Sequence, residues 1–368
     1  MSPEPLYFTT DQPGLIWENN AVGRMKKELW EASDAQIDKI LADYGMPSPC
    51  EWAKPGSYIQ TTVRHDLVEN RRKNDIVLIP VGCTELHGAH TVSSMDTLFV
   101  SHIAEAVRRY SAKKGAPVSI ALPPLMYGSH PYHHLGMPGT VIIREEVAKE
   151  LLIDVMLGLW NDGFRKMIMV NNHGHLWMLE TALHKYLQRY QLPGTVRVID
   201  WHVSVKDFFR TTDQGGWWDT PFIHADEAET SLGLLLFPEM VDMDQAVETE
   251  TKHYMPQGHF NNSVDGYHRP QRWSQAEGHF AIEYFGTPEG VVGKPTHAAA
   301  WKAKRPVAAF CKYLSMIVDD TLATFPAGTV PPVEETTFRT AADMEPFLRE
   351  PLSEGWKPIW ALPWIGQH

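Results

Sequence analysis

Short apolar runs alternate with longer amphipathic segments through the middle of this chain. Runs with the length of buried strands stand at 75–81, 118–122, 166–170 and 196–201. Apolar residues recur at helical spacing at 96–110, 144–161, 176–190, 226–236 and 296–322. Because helices of ten or more residues separate the strands, the pattern predicts an α/β fold with parallel strands and helices covering the sheet.

Three parts of the chain lie outside this alternation. Residues 1–72 are predicted to be an accessory region, helical over 19–44, before an α/β domain at 73–323. Residues 250–295 are rich in Gly, Asn, His and Tyr and predict a long loop insert, a kind of segment that tends to be functional. Residues 324–368 carry several prolines and are predicted to be a tail packed on the surface.

The composition excludes several classes of protein. A hydrophobic content of 43% with 21% charged residues is typical of a globular chain, and a net charge of −12 argues against a nucleic-acid partner. The three cysteines form no CxxC pair, which fits a reducing compartment. The amino terminus lacks the pattern of a signal peptide, and no apolar run approaches the ~20 residues that span a bilayer. We therefore expect a cytoplasmic protein without a membrane partner.

Metal-ligand side chains follow two of the predicted strands. The segment 82–90, Gly-Cys-Thr-Glu-Leu-His-Gly-Ala-His, brings Glu85 and His87, and the segment 171–175, Asn-Asn-His-Gly-His, brings His173 and His175. Asp96 stands just before a predicted helix. Open α/β sheets bind ligands at the carboxyl ends of their strands. Carboxylates mixed with imidazoles suit zinc or manganese, and such an ion can lower the pKa of a bound water to about 7.

Each of these residues also has an ordinary interpretation. A single histidine near a strand end is usually a satisfied polar residue, and an aspartate before a helix is usually an N-cap. Because both segments follow strands, we favour one site assembled from distant parts of the chain. Cys83, two residues before Glu85, is interpreted as a packing residue in preference to a nucleophile.

Four stretches of the chain, in the expected order, resemble the motifs of the creatininase family of metal hydrolases. The first is 82–90 continued to Asp96, which resembles a Gly-x-x-Glu-x-His-Gly-x-His run ending in Asp. The second is 134–140, which resembles a His-x-x-Phe-Pro-Gly-Thr loop. The third is 171–174, which resembles an Asn-Gly-His-Gly segment, and the fourth is 224–231, which resembles the helix start His-Ala-Gly-Glu-x-Glu-Thr-Ser. Residues 290–295 show a weaker resemblance to the family.

The resemblance implies a three-layer sandwich that holds two divalent metal ions, zinc or manganese, with iron(II) as a further candidate. It implies that Glu85 and His173 bind one ion, that His87 binds the other, and that Asp96 bridges them. The remaining ligand of the second ion is undecided: it is Glu229, His175 or both. His175 stands where creatinine hydrolases carry a glutamate.

The resemblance also implies catalytic and substrate-binding residues. His224 aligns with a general acid/base, and a helix amino terminus keeps an imidazole neutral, although an N-cap or packing role is the alternative. Glu227 is either a catalytic group that orients a ligand or a partner of the helix dipole. Substrate contacts are expected from His134, Gly139 and Thr140. Trp218 is a candidate pocket wall, with loop packing as the equal alternative.

Three functions compete at this stage. The leading one is a hydrolase that opens a small polar ring by breaking a C–C bond in an oxidised inositol of the 3-dehydro-scyllo-inosose type, in inositol catabolism. The second is an amidohydrolase that cleaves a cyclic amide, such as creatinine, or a formamide. The third is a non-catalytic binding protein on the same fold, against which the intact ligand side chains argue. The resemblance further implies a homo-oligomer, often a hexamer.

Overall fold

The computed structural model describes residues 7–9, 15–46, 56–121, 123–129, 137–249 and 289–365. Strands β1 (Tyr7–Thr9) and β2 (Ile16–Glu18) form an antiparallel pair. The main sheet has four parallel strands in the order β4-β3-β5-β6. They are β3 (Ile76–Val81), β4 (Ser119–Ile120), β5 (Lys166–Asn171) and β6 (Thr195–Asp200).

Eleven α-helices lie within the described ranges. They are α1 (Ala21–Glu31), α2 (Asp34–Asp43), α3 (Arg64–Lys73), α4 (Met95–Lys113), α5 (Glu145–Asn161), α6 (Leu176–Tyr190), α7 (Trp201–Ser204), α8 (Glu227–Leu236), α9 (Ala300–Thr324), α10 (Val333–Thr336) and α11 (Ala341–Leu348). None of these helices has the length and apolar character needed to cross a membrane.

The central strands β3 and β5 are buried on both faces, and alternate residues of each enter two different cores. Ile76 and Leu78 of β3 pack in one core with α4, α8 and α9. Val77 and Ile79 pack in the other with α5 and α6. This alternation is what a pleated strand imposes. Two helical layers therefore enclose the sheet, and the predicted α/β three-layer sandwich is confirmed.

The segments before and after the sandwich also contribute to these cores. Leu29 of α1 and Ile37 of α2 are buried in the core that contains α9. Phe347 of α11 and Ile359 are buried in the core that contains α5 and α6. The division of the chain near residues 72 and 323 stays a prediction. The predicted insert 250–295 lies outside the described residues except for its last seven positions.

A buried ion pair closes the amino-terminal end of the sheet. The ammonium group of Lys166 lies 2.7 and 2.6 Å from the two carboxylate oxygens of Asp75, and both side chains are almost fully buried. The segment after α9 completes the pair: Lys166 donates to the carbonyl oxygen of Thr329 at 3.0 Å, and Asp75 accepts from the backbone N–H of Gly328 at 3.1 Å. This end of the sheet is opposite to the one that carries the predicted ligands.

Candidate metal centre

The predicted ligands gather where the carboxyl ends of β3 and β5 lie side by side. These strands are neighbours, with Val81 paired to Asn171. From β3 the chain moves to β4 on one side and then to β5 on the other, so this is a switch point of the kind at which open α/β sheets bind ligands. Glu85 and His87 follow β3, His173 follows β5, and all three are buried.

A glycine at the end of β3 lets the start of α4 reach this site. A Cβ on Gly82 would lie 2.5 Å from both the backbone nitrogen and the Cα of Thr97. The Thr97 hydroxyl donates to the carbonyl oxygen of Cys83 at 3.2 Å and fixes this close approach. Asp96, in the first turn of α4, is thereby buried between the ends of the two strands.

Glu85, Asp96 and His173 form a first group of ligand atoms. Nδ1 of His173 lies 3.2 Å from Oε2 of Glu85 and 3.0 Å from Oδ2 of Asp96. The three ligand atoms all lie within 4.8 Å of one another, and all three side chains are buried. Two carboxylates and one imidazole in this arrangement could hold one divalent cation.

His87, Asp96 and Glu229 form a second group beside the first. Nε2 of His87 lies 3.4 Å from Oε2 of Glu229 and 3.8 Å from Oδ1 of Asp96. Asp96 thus presents one oxygen to each group. The structure brings five of the six predicted ligands together in an arrangement that suits two cations sharing Asp96.

The protonation of His87 supports a cation in the second group. Its Nδ1 lies 2.9 Å from the carbonyl oxygen of Glu85, which can only accept, so Nδ1 carries the hydrogen and donates. Nε2 then points a lone pair towards Glu229 and Asp96, and it is buried without a well-formed hydrogen bond among the described residues. A lone pair facing two carboxylates is unfavourable unless a proton or a metal ion lies between them.

The pKa shifts of His87 and Asp96 indicate an excess of negative charge in the cluster. Burial lowers the pKa of His87, but the carboxylates of Glu229 and Asp96 outweigh burial and raise it to about 10. Burial raises the pKa of Asp96 well above its usual range, and the charges of Glu229 and Glu85 raise it further while His87 opposes them. A divalent cation would supply the positive charge that this cluster requires.

A strained turn before α8 delivers Glu229 to the second group. Ala225 has a φ of 47°, in the left-handed region that non-glycine residues seldom adopt. Its backbone N–H donates to Oε2 of Glu229 at 2.5 Å. Asp226 caps the helix by accepting from the N–H groups of Ala228 and Glu229 at 2.8 and 3.1 Å. The turn therefore fixes the direction of the Glu229 carboxylate.

His224, just before this turn, forms a further group of possible ligand atoms with Glu85 and His87. Its Nε2 donates to the carbonyl oxygen of Leu86 at 2.8 Å, so Nδ1 carries the lone pair. Nδ1 lies 3.8 Å from Oε2 of Glu85, and the ring centroid is 4.4 Å from that of His87. The His224 carbonyl accepts from the N–H of Val292 at 2.9 Å, which ties the turn to the segment before α9.

His175 is buried near the cluster but lies outside both groups. It is the cap residue of α6, and its Nε2 lies 3.0 Å from the side-chain oxygen of Asn171. Its ring packs edge-on against that of His173, with 4.6 Å between the ring centroids. A Cβ on Gly128 would lie 2.6 Å from the His175 ring. Of the two candidates for the open ligand position, the geometry groups Glu229 with His87 and Asp96.

Glu227 is buried but faces the loop before α8. Its carboxylate accepts from the N–H of Asp219 at 3.0 Å and from the N–H of Thr220 at 2.8 Å, and it forms an ion pair with Lys302 of α9. These contacts hold the loop that leads to His224. Both roles predicted for Glu227, the orienting of a ligand and the partnering of the helix dipole, stay predictions.

The predicted substrate-binding residues have different surroundings. Gly139, with a φ of +83°, and Thr140 form a turn in which the Thr140 hydroxyl accepts from the N–H of Leu86 at 2.9 Å, so this turn holds the segment between Glu85 and His87. Trp218 is buried in the core and donates to the carbonyl oxygen of Phe208 at 2.6 Å, as the packing alternative predicts. His134 lies outside the described residues.

Two residues that the sequence did not single out also reach the site. The side-chain N–H of Asn172 donates to Oδ1 of Asp96 at 3.0 Å, and the indole N–H of Trp201 donates to the side-chain oxygen of Asn172. Asn172 stands inside a recognised segment, so its position was a usable signal. Trp201 follows a different strand, and nothing local to it in the sequence indicates this contact.

A parallel α/β sandwich with carboxylates and imidazoles buried at the carboxyl ends of its strands is an architecture that can hold divalent metal ions. The family model described as creatinine amidohydrolase matches residues 61–318. The chain belongs to the creatininase family, as its motifs predicted.

One relative is similar in sequence, and two solved structures are similar in fold. It is 42% identical over 305 residues to a 3-dehydro-scyllo-inosose hydrolase of Thermotoga maritima, an alignment that covers 83% of this chain and 96% of the relative. A solved mutant creatininase of Zn-Zn type shares the fold with a TM-score of 0.55 at 19% identity, covering 74% of this chain and 100% of that one. A solved structure described as creatininase Mn has a TM-score of 0.53 at 20% identity, with the same coverage.

Proposed function

We propose that the two groups hold two divalent metal ions. Glu85 and His173 would bind one, His87 and Glu229 the other, and Asp96 would bridge them. The donor set fits zinc or manganese, since both accept mixed carboxylate and imidazole ligands, and iron(II) is the third candidate. When bound, such ions polarise a carbonyl and lower the pKa of water. The observation that carries the proposal is the sharing of Asp96 by two buried groups.

The assignment of Glu229 and not His175 to the second ion can be tested separately. Glu229→Gln should lower the metal content by one ion per chain, because the second group loses a charged ligand. His175→Gln should leave two ions bound, because His175 contacts Asn171 and His173 from outside the groups. Metal content after exhaustive dialysis, measured by plasma mass spectrometry, distinguishes the two ligands. The reverse result would assign the place to His175.

We propose that His224 moves the proton in the reaction. Its Nε2–H is committed to the carbonyl oxygen of Leu86, which fixes the tautomer and leaves Nδ1 to accept a proton. Nδ1 is 3.8 Å from Glu85, beside the cluster. A neutral imidazole in this place can take a proton from water at Nδ1 and deliver it to the leaving group. Glu227, through its contacts with loop 219–220, would keep His224 in position.

The proposed reaction is ring opening of an oxidised inositol by hydrolysis of a C–C bond. The Thermotoga relative, named 3-dehydro-scyllo-inosose hydrolase, aligns over almost its whole length and supports this substrate class. Water would add to a ring carbonyl, the adjacent C–C bond would break, and the carbonyl carbon would become a carboxylic acid at one end of the opened chain, which then ionises. His224 would return the proton to the released carbon. This step consumes one water and needs no oxidant or reductant.

A substrate comparison tests the proposed reaction. Protein loaded with manganese or zinc would be incubated with 3-dehydro-scyllo-inosose and, in parallel, with creatinine, and ring opening would be followed by NMR. We expect a metal-dependent ring-opened carboxylate from the inosose and no change in creatinine. Hydrolysis of creatinine alone would favour the amidohydrolase. Stoichiometric metal without turnover of either compound would contradict the proposed substrate class, and absence of metal would favour a binding protein.

We further propose that the enzyme acts in the cytoplasm on a small-molecule substrate and assembles as a homo-oligomer. The family resemblance supports the oligomer. Light scattering coupled to size-exclusion chromatography would give its mass, and a monomeric mass would refute it.

A further inference from the structure

The side chain of Asn172 connects Asp96 to an aromatic residue on the far side of β5. It donates to Oδ1 of Asp96 at 3.0 Å and accepts from the indole nitrogen of Trp201, which starts α7. Asn172 is 1% exposed and Trp201 is fully buried. Both hydrogen bonds are therefore shielded from water, where such bonds are strong and a lost partner is costly.

The chemistry of the indole group fixes the orientation of the Asn172 amide. An indole N–H can only donate, so the amide oxygen of Asn172 must face Trp201. The amide nitrogen must then face Asp96. The opposite rotamer would point two N–H groups at each other and leave the Asp96 oxygen without its donor. Trp201 therefore determines which end of Asn172 reaches the carboxylate.

This hydrogen bond restricts the rotation of the Asp96 carboxylate. Oδ1 receives the Asn172 N–H on the side of His87, while Oδ2 lies 3.0 Å from Nδ1 of His173. A carboxylate that bridges two cations through both of its oxygens gives one to each, and here Oδ1 is the oxygen nearer His87 and Oδ2 the one nearer His173. Rotation about the bond to its carboxyl group would break the contact with Asn172 and turn both oxygens out of the two groups.

We propose that Asn172, held by Trp201, is a positioning residue that keeps Asp96 in its bridging orientation. The proposal rests on the metal centre proposed above. The corresponding place in the motif that segment 171–174 resembles is a glycine, which could form neither hydrogen bond. The positioning of Asp96 therefore depends on Asn172 and Trp201 of this chain, in addition to the motif residues.

Cobalt(II) binding to the demetallated full chain tests this role. Asn172→Leu removes the donor at nearly constant volume, and Asn172→Gly introduces the residue of the related motif if the leucine variant does not fold. Trp201→Phe removes only the N–H and a part of the ring. The matched control is Trp217→Phe, whose indole nitrogen donates to the carbonyl oxygen of Lys302 at 3.1 Å. The readouts are the dissociation constants and the visible absorption spectrum of bound cobalt.

We expect the Asn172 variants to weaken cobalt binding by about 10- to 100-fold and to alter the cobalt spectrum. Trp201→Phe should cause a smaller change of the same kind, and the double variant should be no weaker than Asn172→Leu because Trp201 acts through Asn172. The control should match the wild type. Two cobalt ions with unchanged affinity and spectrum in the Asn172 variants, or multiplied losses in the double variant, would overturn the positioning role. A wild-type chain that binds fewer than two ions would overturn the metal centre itself.

Discussion

Substitution of Gly82 by alanine should damage the proposed metal centre without replacing any of its proposed ligands. Gly82 lies at the end of β3, where the first turn of α4 approaches it. A methyl group there would lie 2.5 Å from the backbone of Thr97, whereas ordinary contact begins at 3.4 Å. The start of α4 would have to move by about 0.9 Å, the difference between these distances, and Asp96 would move with it.

This displacement is large on the scale of metal coordination. Ligand distances in metal sites are held within about 0.2 Å. A shift of about 0.9 Å at the proposed bridging carboxylate should therefore weaken the binding of both ions. We expect turnover to fall about 100-fold, and the free energy of unfolding to fall by about 1–3 kcal/mol from overpacking.

Manganese titration by calorimetry and thermal unfolding of the demetallated protein would measure the two effects separately. The matched control is Gly158→Ala on the exposed side of α5, where a Cβ would meet no atom within 4 Å. That variant should gain up to about 1 kcal/mol of stability from helix propensity and keep its metal affinity. If Gly82→Ala binds manganese as tightly as the wild type, the close approach at Gly82 does not position Asp96.

Three further predictions concern the centre and its surroundings. Asp96→Ala should lose both ions by mass spectrometry, and a variant that retains one would show that Asp96 serves a single site. His224→Ala should keep two ions while its turnover falls by about 10²- to 10⁴-fold, and an unchanged rate would place proton transfer elsewhere. Burial lowers the pKa of His202 to about 3, so it stays neutral in the fold while the unfolded chain takes up a proton below about pH 6.5. The free energy of unfolding should therefore fall by about 3 kcal/mol between pH 7 and pH 4 through this residue. In urea unfolding, His202→Gln should lose about that much less over the same range. Equal losses in the variant and the wild type would show that His202 is not the residue responsible.

The sequence predicted the centre of the sheet well because the two central strands are buried on both faces. Runs such as 75–81 and 166–170 are apolar at nearly every position, and they became the two central strands β3 and β5. The run at 118–122 yielded only the two-residue strand Ser119–Ile120, which lies at the sheet edge with a single neighbour. The number of neighbours is a property of the assembled sheet and cannot be read from one strand.

The site was predictable to the extent that its residues follow strands. Glu85, His87 and His173 stand directly after β3 or β5, so the topology alone brings them to one edge. The positions of Glu229 and His175 relative to the cluster were not predictable, because they depend on how α8 and α6 begin. His175 caps α6 and packs beside His173, while the left-handed turn at Ala225 aims Glu229 at the cluster.

The burial of Trp218 and the hydrogen bond from Trp201 to Asn172 could not be predicted from the sequence, because both depend on how distant segments pack together. Trp218 stands in a loop pattern that suits a pocket wall as well as a core. Its burial results from packing against Phe209 and from a hydrogen bond to Phe208, both of which depend on the path of the intervening chain. The bond from Trp201 to Asn172 joins the ends of two strands and has no local signature.

The ion pair of Asp75 and Lys166 has a practical consequence for shortened versions of this protein. The family match ends at residue 318, so a fragment cut to that match would lack Gly328 and Thr329. Those two residues supply the backbone groups that hydrogen-bond to the pair. Without them, Lys166 and Asp75 would each lose a backbone hydrogen bond at the amino-terminal end of β3 and β5, the strands that lead to the proposed site. Expression boundaries for crystallography or directed evolution should therefore extend beyond residue 329.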